Sequence, residues 1–453
     1  MRVSFQYSAL FLIASLVTGC AGGLQLDGKT SPRSNRTVVL FLVDGLGAKL
    51  LQSGISSGLM PNTRRFFLKN KTAFAQGQAA FPSLTYPNLS GVLTSKAVGD
   101  QPVTSNKVAV NGKVVNYESP FHHDDLERAV RPQSIFTRLA SQGKTSASFS
   151  FVLGEDATDH MAVGLREGLE YQSHEYRELD ERLLTNLEEY LADKENPATW
   201  PSFIYVHLVG VDGTAHHFGV RSRQTREYLA WLDRRLAPVF KILVAAEKRK
   251  QVTSILTADH GFVDTERFVD LEKFVRKTDK TLLVTNESRF LGLYRKPGAR
   301  PEALEELLVH IRSVPGVELT VLRKENRLEF STARQTLAFG YGPALCESAS
   351  FSLAPANESA SLASGTFRCP DELNPVIQPY PFLVSGLSRY LNAPNHPDAV
   401  VIAKPDTSFT KDHKGNHGGP TADEMLVPIL LRNAAIAGAF PHTSDLLKTL
   451  DKL

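Results

Sequence analysis

Continuous apolar runs that end at ligand-type side chains are the feature that most constrains the fold. The runs cover 38–43 before Asp44, 203–209 with Asp212 close behind, and 252–257 shortly before Asp259-His260. Runs of this length that are rich in apolar and β-branched residues are typical of strands that are buried on both faces of a parallel sheet. They predict a sheet that carries these aspartates and the histidine along one edge.

Helical patterns separate the strand-like runs. A further strand-like run covers 146–152, and helical patterns cover about 133–142, 175–191 and 223–250. The last of these contains Pro238, a residue at which a helix can break. Strands that alternate with helices predict an α/β fold with a doubly wound, mostly parallel sheet. In such sheets the ligand site lies beyond the carboxyl ends of the strands, where the aspartates and His260 fall.

The pattern changes over about 281–397, which we interpret as an inserted cap-like subdomain. It contains strand-like pieces at 281–285 and 290–294, a helical pattern near 301–312, and a stretch rich in Gly, Ser, Ala and Pro. A strand pattern at 400–403, a closing apolar segment at 425–431 and a terminal helix near 444–453 follow. The predicted catalytic domain therefore spans 36–453 and contains one insertion.

The N-terminus has the form of a secretory signal. Arg2 precedes an apolar run from about Ala9 to Val17, which is too short to span a bilayer. The ending Val17-Thr18-Gly19-Cys20 resembles a bacterial lipobox, in which the cysteine is lipidated. We expect a lipoprotein signal peptide over 1–19, a lipid anchor on Cys20 and a flexible tether over 20–35. A plain signal peptide or a short membrane anchor is the alternative.

This interpretation places the protein in the bacterial cell envelope, on the periplasmic side or the outer membrane. In that oxidising environment Cys346 and Cys369 could form a disulfide, and two unpaired thiols are the alternative. The formal net charge is +3 with both signs interspersed, so no clustered basic face for nucleic acid is evident. The composition does not indicate an oligomeric state.

Oxygen and imidazole side chains recur where a metal site could collect them. Asp212 and His216 are about one helical turn apart and would face the same way on a helix. His417 lies in the loop Gly415-Asn416-His417-Gly418-Gly419, whose glycines allow close approach of the backbone. No thiolate is among these residues. The set suits zinc in a catalytic site, with manganese or another divalent ion as the alternative.

Thr85 is the candidate nucleophile. It lies in the turn-rich segment Phe81–Asn88, ahead of a helix predicted to start near Asn88. A hydroxyl at a helix N-terminus is well placed to meet an anion. Coordination to a metal would lower the pKa of the hydroxyl and activate it.

Taken in order, these segments resemble the nucleotide pyrophosphatase/phosphodiesterase branch of the alkaline-phosphatase superfamily, the type I phosphodiesterases. The matching motifs are Val43-Asp44-Gly45, Pro82–Asn88, Asp212-x-x-x-His216-x-x-Gly219, Ala258-Asp259-His260-Gly261 and Asn416-His417-Gly418. They follow the family's order from residue 43 to residue 419. The resemblance therefore covers nearly all of the mature chain and is weakest across the insertion.

The resemblance implies two divalent metal ions, which we expect to be zinc. One ion would be held by Asp212, His216 and His417. The other would be held by Asp44, Asp259, His260 and the Thr85 oxygen. Two ions about 4 Å apart can clamp the attacking and leaving oxygens of an in-line displacement.

The resemblance also implies a mechanism for a phosphate ester. Thr85 would attack phosphorus and form a phospho-threonine intermediate, which water activated at the other metal would hydrolyse. Asn106 follows Thr85 at the spacing of an asparagine that, in the family, donates to a phosphoryl oxygen. The expected substrate is a small-molecule phosphodiester, with an unknown leaving group.

Other functions compete with this one. Sulfatases of similar fold carry Cys or Ser at the nucleophile position, Pro two positions later and Arg four positions later. This chain has Thr85, Pro87 and Leu89 at those positions, so two of the three residues differ and a sulfatase is disfavoured. Phosphomonoesterases of the superfamily that this chain resembles carry a Lys-x-Arg pair after the corresponding strand. Residues 154–160 of this chain lack such a pair. This difference favours phosphodiesters or phosphonates and leaves phosphomonoesters as an alternative. A non-catalytic surface lipoprotein is disfavoured because no ligand and no nucleophile is missing.

Overall fold

The structure is a computed structural model that describes most of the chain. The described residues are 24–26, 36–69, 74–161, 170, 173–194, 196–249, 251–325, 327–334, 336–340, 380, 382–411, 413–436 and 442–448. The predicted signal peptide, Cys20 and the Cys346–Cys369 pair lie outside these ranges. Among the described residues, no helix has the length and apolar character needed to cross a membrane.

A seven-stranded sheet forms the centre of the molecule. In spatial order its strands are Ala75–Gln78, Leu426–Arg432, Gln251–Thr257, Arg36–Val43, Phe203–Leu208, Ser146–Phe149 and Asp159–His160. The last five are mutually parallel, and only Leu426–Arg432 runs antiparallel to its neighbours. The predicted α/β fold with a mostly parallel sheet is confirmed.

Residues 38–43 of the central strand Arg36–Val43 alternate between two apolar cores, which explains their uninterrupted apolar sequence. Val39, Phe41 and Val43 face one core, and Val38, Leu40 and Leu42 face the other. All eight residues of the strand are buried. A strand covered on both faces has no position at which a polar side chain could reach water.

Helices cover both faces of the sheet. One face packs against Ala48–Ser56, Tyr176–Asp193 and Arg223–Ala246, and the other packs against Thr85–Thr94 and Ile135–Ser141. The helix Arg223–Ala246 continues through Pro238 without a break. Pro238 is exposed, so the carbonyl group that loses its hydrogen bond can turn to water.

The remaining helices and turns connect the strands or lie at the edges. The α-helices are Pro61–Thr63, His123–Val130, Gly210–Phe218, Leu271–Thr278, Pro301–Ile311, Leu383–Leu391 and Ala422–Met425, with a π-helix at Arg64–Leu68. The 3-10 turns are Val98–Asp100, Pro120–His122, Arg131–Gln133, Pro197–Thr199 and Thr443–Asp445. The terminal helix predicted near 444–453 is a 3-10 turn in its described part.

A second, six-stranded sheet forms the extra subdomain. Its antiparallel strands lie in the order Leu282–Asn286, Phe290–Arg295, Ala399–Ala403, Val317–Arg323, Arg327–Ser331 and Thr336–Gly340. The strand Ala399–Ala403 lies in the middle of this sheet, although it follows the end of the predicted insertion. One side of the sheet packs against Leu383–Leu391 and the other against Pro301–Ile311.

Four short strand pairs complete the structure. They are Leu24–Leu26 with Ala434–Ile436, Lys107–Val110 with Lys113–Asn116, Val263–Asp264 with Gly415–Asn416, and Arg267–Phe268 with Thr407–Ser408. The third pair matters most for the site. It holds the loop that carries His417 against the segment that follows His260.

Candidate active site

Three ligand-type side chains meet where two adjacent parallel strands end, and we call them the strand-end cluster. They are Asp44, Asp259 and His260. Asp44 follows the strand Arg36–Val43, and the other two follow its neighbour Gln251–Thr257. The His260 Nε2 atom lies 3.4 Å from Asp44 Oδ1 and 3.2 Å from Asp259 Oδ2. All three residues are buried.

Three more side chains form a second group, which we call the helix–loop cluster. They are Asp212, His216 and His417. Asp212 and His216 lie one turn apart on the helix Gly210–Phe218, with His216 Nε2 3.6 Å from Asp212 Oδ2. His417 reaches in from its glycine-rich loop and lies 3.1 Å from His216 Nε2 and 3.7 Å from Asp212 Oδ1.

The two clusters touch each other. The rings of His260 and His417 stack with their centroids 3.7 Å apart and their planes 10° apart. The His260 Nε2 atom also lies 3.9 Å from Asp212 Oδ1.

Gly45 allows the two clusters to come this close. Its φ is positive, and a Cβ there would lie 2.5 Å from the Phe262 ring and 3.1 Å from the Asp212 backbone.

The imidazoles are oriented as metal ligands. The Nδ1 atoms of His216, His260 and His417 face the carbonyl oxygens of Gly415, Gly261 and Ser83, at 2.9, 3.2 and 3.0 Å. A ring that donates from Nδ1 presents the Nε2 lone pair on its other side. Burial lowers the pKa of His216 and His260 to about 3 and that of His417 well below its usual value. Neutral imidazoles are the form that binds a cation.

The buried carboxylates of the site lack positive counter-charge. Asp44 Oδ1, Asp212 Oδ1 and Asp259 Oδ2 are buried and lack a hydrogen-bond partner within the described part of the chain. Burial, together with the neighbouring aspartates, raises the pKa of all three well above the usual range. Three buried carboxylates without counter-charge are costly unless cations neutralise them. The residues therefore fit two divalent ions.

The predicted nucleophile lies against the strand-end cluster. Thr85 Oγ1 is 3.1 Å from His260 Nε2. The helix begins at Thr85 rather than near Asn88 as predicted, so the hydroxyl sits at its first residue. Pro87 is tolerated there because the N–H groups of a first helical turn have no partner within the helix.

Asn106 is brought beside the nucleophile. Its Oδ1 atom accepts a hydrogen bond from the backbone N–H of Tyr86 at 3.1 Å. Its Nδ2 atom donates to Glu118 Oε1 at 3.2 Å, which leaves a second N–H for a ligand. His217, the neighbour of His216, is not part of the site, because its ring packs against His174 and Phe218.

Hydrogen bonds fasten the His417 loop to the nucleophile turn and to the second sheet. The Ser83 hydroxyl donates to the Gly419 carbonyl at 2.6 Å and accepts from the Gly418 N–H at 3.2 Å. Glu424 accepts from the Gly419 N–H at 2.9 Å and pairs with the fully buried Arg289 at 3.0 Å. Arg289 comes from the second sheet region, so this sheet helps to position His417.

Some residues of the site were not predicted. His207 is buried in the strand Phe203–Leu208, and its Nε2 atom lies 3.1 Å from Asp44 Oδ2. A histidine within an otherwise apolar strand was the signal that could have identified it. Glu424 closes a capping box with Thr421, a pattern that is visible in the sequence. Glu118 and Arg289 gave no comparable signal.

Comparison with known proteins agrees with this geometry. A sequence model of the family described as type I phosphodiesterase / nucleotide pyrophosphatase matches residues 38–423. The chain belongs to this family. It is therefore a phosphoric ester hydrolase of the alkaline-phosphatase superfamily, and the predicted enzyme class is confirmed. The family is one of dinuclear metal enzymes that act on phosphodiesters, pyrophosphates or phosphonates.

Solved structures share the fold. The phosphonoacetate hydrolase of Sinorhizobium meliloti 1021, in complex with phosphonoformate, superimposes with a TM-score of 0.60 at 14% identity, over 95% of this chain and 98% of its own. Murine ectonucleotide pyrophosphatase/phosphodiesterase 5 gives 0.59 at 16% identity, over 92% and 95%. A search of curated protein sequences found no significant match.

Proposed function

We propose that this family member hydrolyses phosphodiesters by in-line attack of Thr85 on phosphorus. The observation that carries this proposal is the position of the Thr85 hydroxyl, at a helix N-terminus and 3.1 Å from a ligand of the strand-end cluster. The dipole of the helix favours an anion at this point. A phosphoryl group bound there lies within reach of the nucleophile.

The donor sets of the two clusters decide which metals to expect. Imidazole nitrogens and carboxylate oxygens without thiolates suit zinc, and we propose that two zinc ions bind. Asp44, Asp259, His260 and Thr85 would hold one ion, and Asp212, His216 and His417 the other. When bound, such ions neutralise the phosphoryl oxygens and lower the pKa of the nucleophile.

The residues of the chain supply the remaining steps. The Thr85 Oγ1–phosphorus bond forms as the bond from phosphorus to the leaving oxygen breaks, which gives a phospho-threonine that still carries the second ester. Water then attacks the same phosphorus and releases Thr85 with its hydroxyl restored. The free N–H of Asn106 would donate to a non-bridging oxygen as negative charge accumulates there.

A comparison of substrates tests the proposal. The zinc-loaded protein is assayed with methyl 4-nitrophenyl phosphate, a diester, and with 4-nitrophenyl phosphate, a monoester, and Thr85→Ala and chelated protein serve as controls. We expect a higher kcat/KM for the diester, lost in both controls. A higher value for the monoester would move the substrate class to phosphomonoesters on the same site. The proposal would be contradicted if neither substrate were hydrolysed in a way that depends on Thr85.

A phosphonate is the second candidate substrate. The phosphonoacetate hydrolase matches nearly the whole of both chains. Phosphonoacetate belongs in the same assay for this reason, with release of inorganic phosphate as the readout. Cleavage of phosphonoacetate faster than of the diester would favour this candidate.

We also propose that the chain is a bacterial lipoprotein of the cell envelope, anchored through Cys20. The lipobox-like ending and the polar segment after it support this proposal. Expression in a bacterial host, with separation of soluble and membrane fractions, tests it. We expect the protein in the membrane fraction with an acylated N-terminal peptide, and a Cys20→Ala variant without acylation. An unacylated wild-type N-terminus would contradict the anchor.

A further inference from the structure

A carboxylate lies beside the amide that faces the phosphoryl group. The Asn106 side chain is held at both ends, by the backbone N–H of Tyr86 on its oxygen and by Glu118 on its nitrogen. The Tyr86 N–H identifies Oδ1 as the oxygen, so the two donors of Nδ2 must point away from it. One donor meets Glu118 and the other remains for a ligand. Glu118 thereby fixes the direction of the free N–H.

Glu118 belongs to a chain of charges that reaches the second sheet. Its Oε2 atom lies 2.7 Å from the ammonium of Lys107. That ammonium lies 3.6 Å from Glu287 Oε2 and donates to the Asn286 carbonyl at 3.1 Å. Glu287 is buried, and its Oε1 atom accepts from the Ser105 hydroxyl at 2.8 Å and from the Lys107 N–H at 2.7 Å.

The single ammonium of Lys107 is shared by two carboxylates. The Glu118 side chain is 44% exposed, whereas that of Glu287 is 1% exposed. Burial raises the pKa of Glu287 to about 7. Above that pH both carboxylates are charged, Lys107 cannot cancel the charge of both, and negative charge is left beside Asn106. A phosphate bound at Thr85 and Asn106 would meet this charge at close range.

We infer that Glu118 is a specificity-determining residue that disfavours substrates whose phosphoryl group carries two negative charges. This inference rests on the proposed function, because it concerns the group that binds at Thr85 and Asn106. A phosphodiester or a pyrophosphate linkage presents one charge on the phosphorus that is attacked. A phosphomonoester presents two at neutral pH and is repelled more strongly. Glu118 also acts as a positioning residue for Asn106.

Two substitutions separate the charge of Glu118 from its hydrogen bond. Glu118→Gln removes the charge and keeps one acceptor oxygen, which Asn106 and the Lys107 ammonium then share. We expect the ratio of kcat/KM for 4-nitrophenyl phosphate to that for methyl 4-nitrophenyl phosphate to rise about tenfold. Glu118→Ala removes both features, and we expect kcat to fall for both substrates because the Asn106 amide is no longer held.

Salt provides a readout that a purely structural role would not change. Because Glu118 is half exposed, added salt should screen its charge. In the wild type the monoester-to-diester ratio should rise with ionic strength, and in Glu118→Gln it should change less. Glu305→Gln is the matched control, since it breaks another carboxylate–lysine pair, with Lys324, on the far helix Pro301–Ile311.

The outcomes distinguish this inference from the proposed function. Loss of diester hydrolysis in Thr85→Ala, together with an unchanged ratio in Glu118→Gln, would overturn the inference and leave the proposed function intact. A wild type that prefers monoesters would contradict the proposed function, whereas a further rise of the ratio in Glu118→Gln would still support the role of Glu118. A rise of equal size in Glu305→Gln would also overturn the inference.

Discussion

The strand-end and helix–loop clusters have similar side chains but are held together in different ways. Asp44 and Asp259 follow two strands that are paired in register, with Leu42 opposite Thr257, so the sheet alone brings them together. His216 and His417 share no such register. They meet because the short strand pair Val263–Asp264 with Gly415–Asn416 holds the His417 loop, and because Ser83 and Glu424 fasten it further. The comparison teaches that one half of the site is fixed by the core of the sheet. The other half depends on a two-residue strand pair and a few hydrogen bonds, and it can be loosened separately.

Asp259→Asn should have the largest effect, because it breaks the cluster that the sheet fixes. The amide can still accept from the Gly45 N–H, which is bonded to Asp259 Oδ1 at 3.1 Å, so the fold should be retained. The lost charge removes one ion, and several kcal/mol of charge stabilisation with it. We expect kcat/KM for the diester to fall about 10³-fold. Mass spectrometric metal analysis should find one ion fewer than in Asp398→Asn, a surface control, and equal metal content would contradict the assignment.

His417→Gln should break the helix–loop cluster alone. The substitution removes the Nε2 ligand and the ring that stacks on His260, and it leaves the ligand atoms of Asp44, Asp259 and His260 in place. We expect kcat/KM for the diester to fall about 10²-fold with one ion retained. Metal analysis of the purified variant checks this result. Loss of both ions would show that the two clusters do not bind independently.

Glu424→Gln should weaken the helix–loop cluster without touching a ligand. It leaves the buried Arg289 without its counter-charge, so we expect the free energy of unfolding to fall by about 4 kcal/mol. Zinc affinity of the helix–loop cluster, measured in an Asp259→Asn background, should fall about tenfold.

His207→Gln is the corresponding variant for the strand-end cluster. It should lower the zinc affinity of that cluster, measured in a His417→Gln background. If either variant lowered the zinc affinity of both clusters equally, the claim that the two clusters are held independently would be contradicted.

Glu127 sharpens the comparison, because it is a buried carboxylate outside both clusters. It accepts from the Gly154 N–H at 3.2 Å, and burial raises its pKa to about 7. A raised carboxyl pKa stabilises the folded state at acid pH, and this stabilisation is lost as the pH rises through the folded pKa. Between pH 5 and 8, Glu127→Gln should gain about 2 kcal/mol of unfolding free energy relative to wild type. Urea denaturation of both proteins across this pH range measures the difference in unfolding free energy, and the metal content should be unchanged. A difference in unfolding free energy that does not vary with pH would contradict the role given to Glu127.

The sequence was sufficient where local pattern and geometry coincide. Asp44 and Asp259 follow apolar runs, and Asp212 and His216 are one helical turn apart, so the strand and helix patterns alone place these candidate ligands. The motif around Thr85 marks it as the candidate nucleophile, but its helix begins three residues before the predicted start, and Pro87 lies within the first turn.

Contacts between distant segments could not be predicted. Ser83, Glu424 and Arg289 act through partners that only the folded chain brings near, and their residue types are common in loops. The strand Ala399–Ala403 has the pattern of a core strand but pairs within the second sheet. An apolar run specifies burial on both faces and does not specify which sheet provides it.

The stereochemical course at phosphorus tests most directly the claim that both clusters serve one nucleophile, Thr85. A chiral aryl phosphorothioate diester is hydrolysed in ¹⁸O-labelled water by the zinc-loaded protein, and the configuration of the product is determined. Each in-line displacement inverts phosphorus, so attack by Thr85 followed by attack by water predicts net retention. Net inversion would mean that water attacks the substrate directly, and it would contradict the role of Thr85.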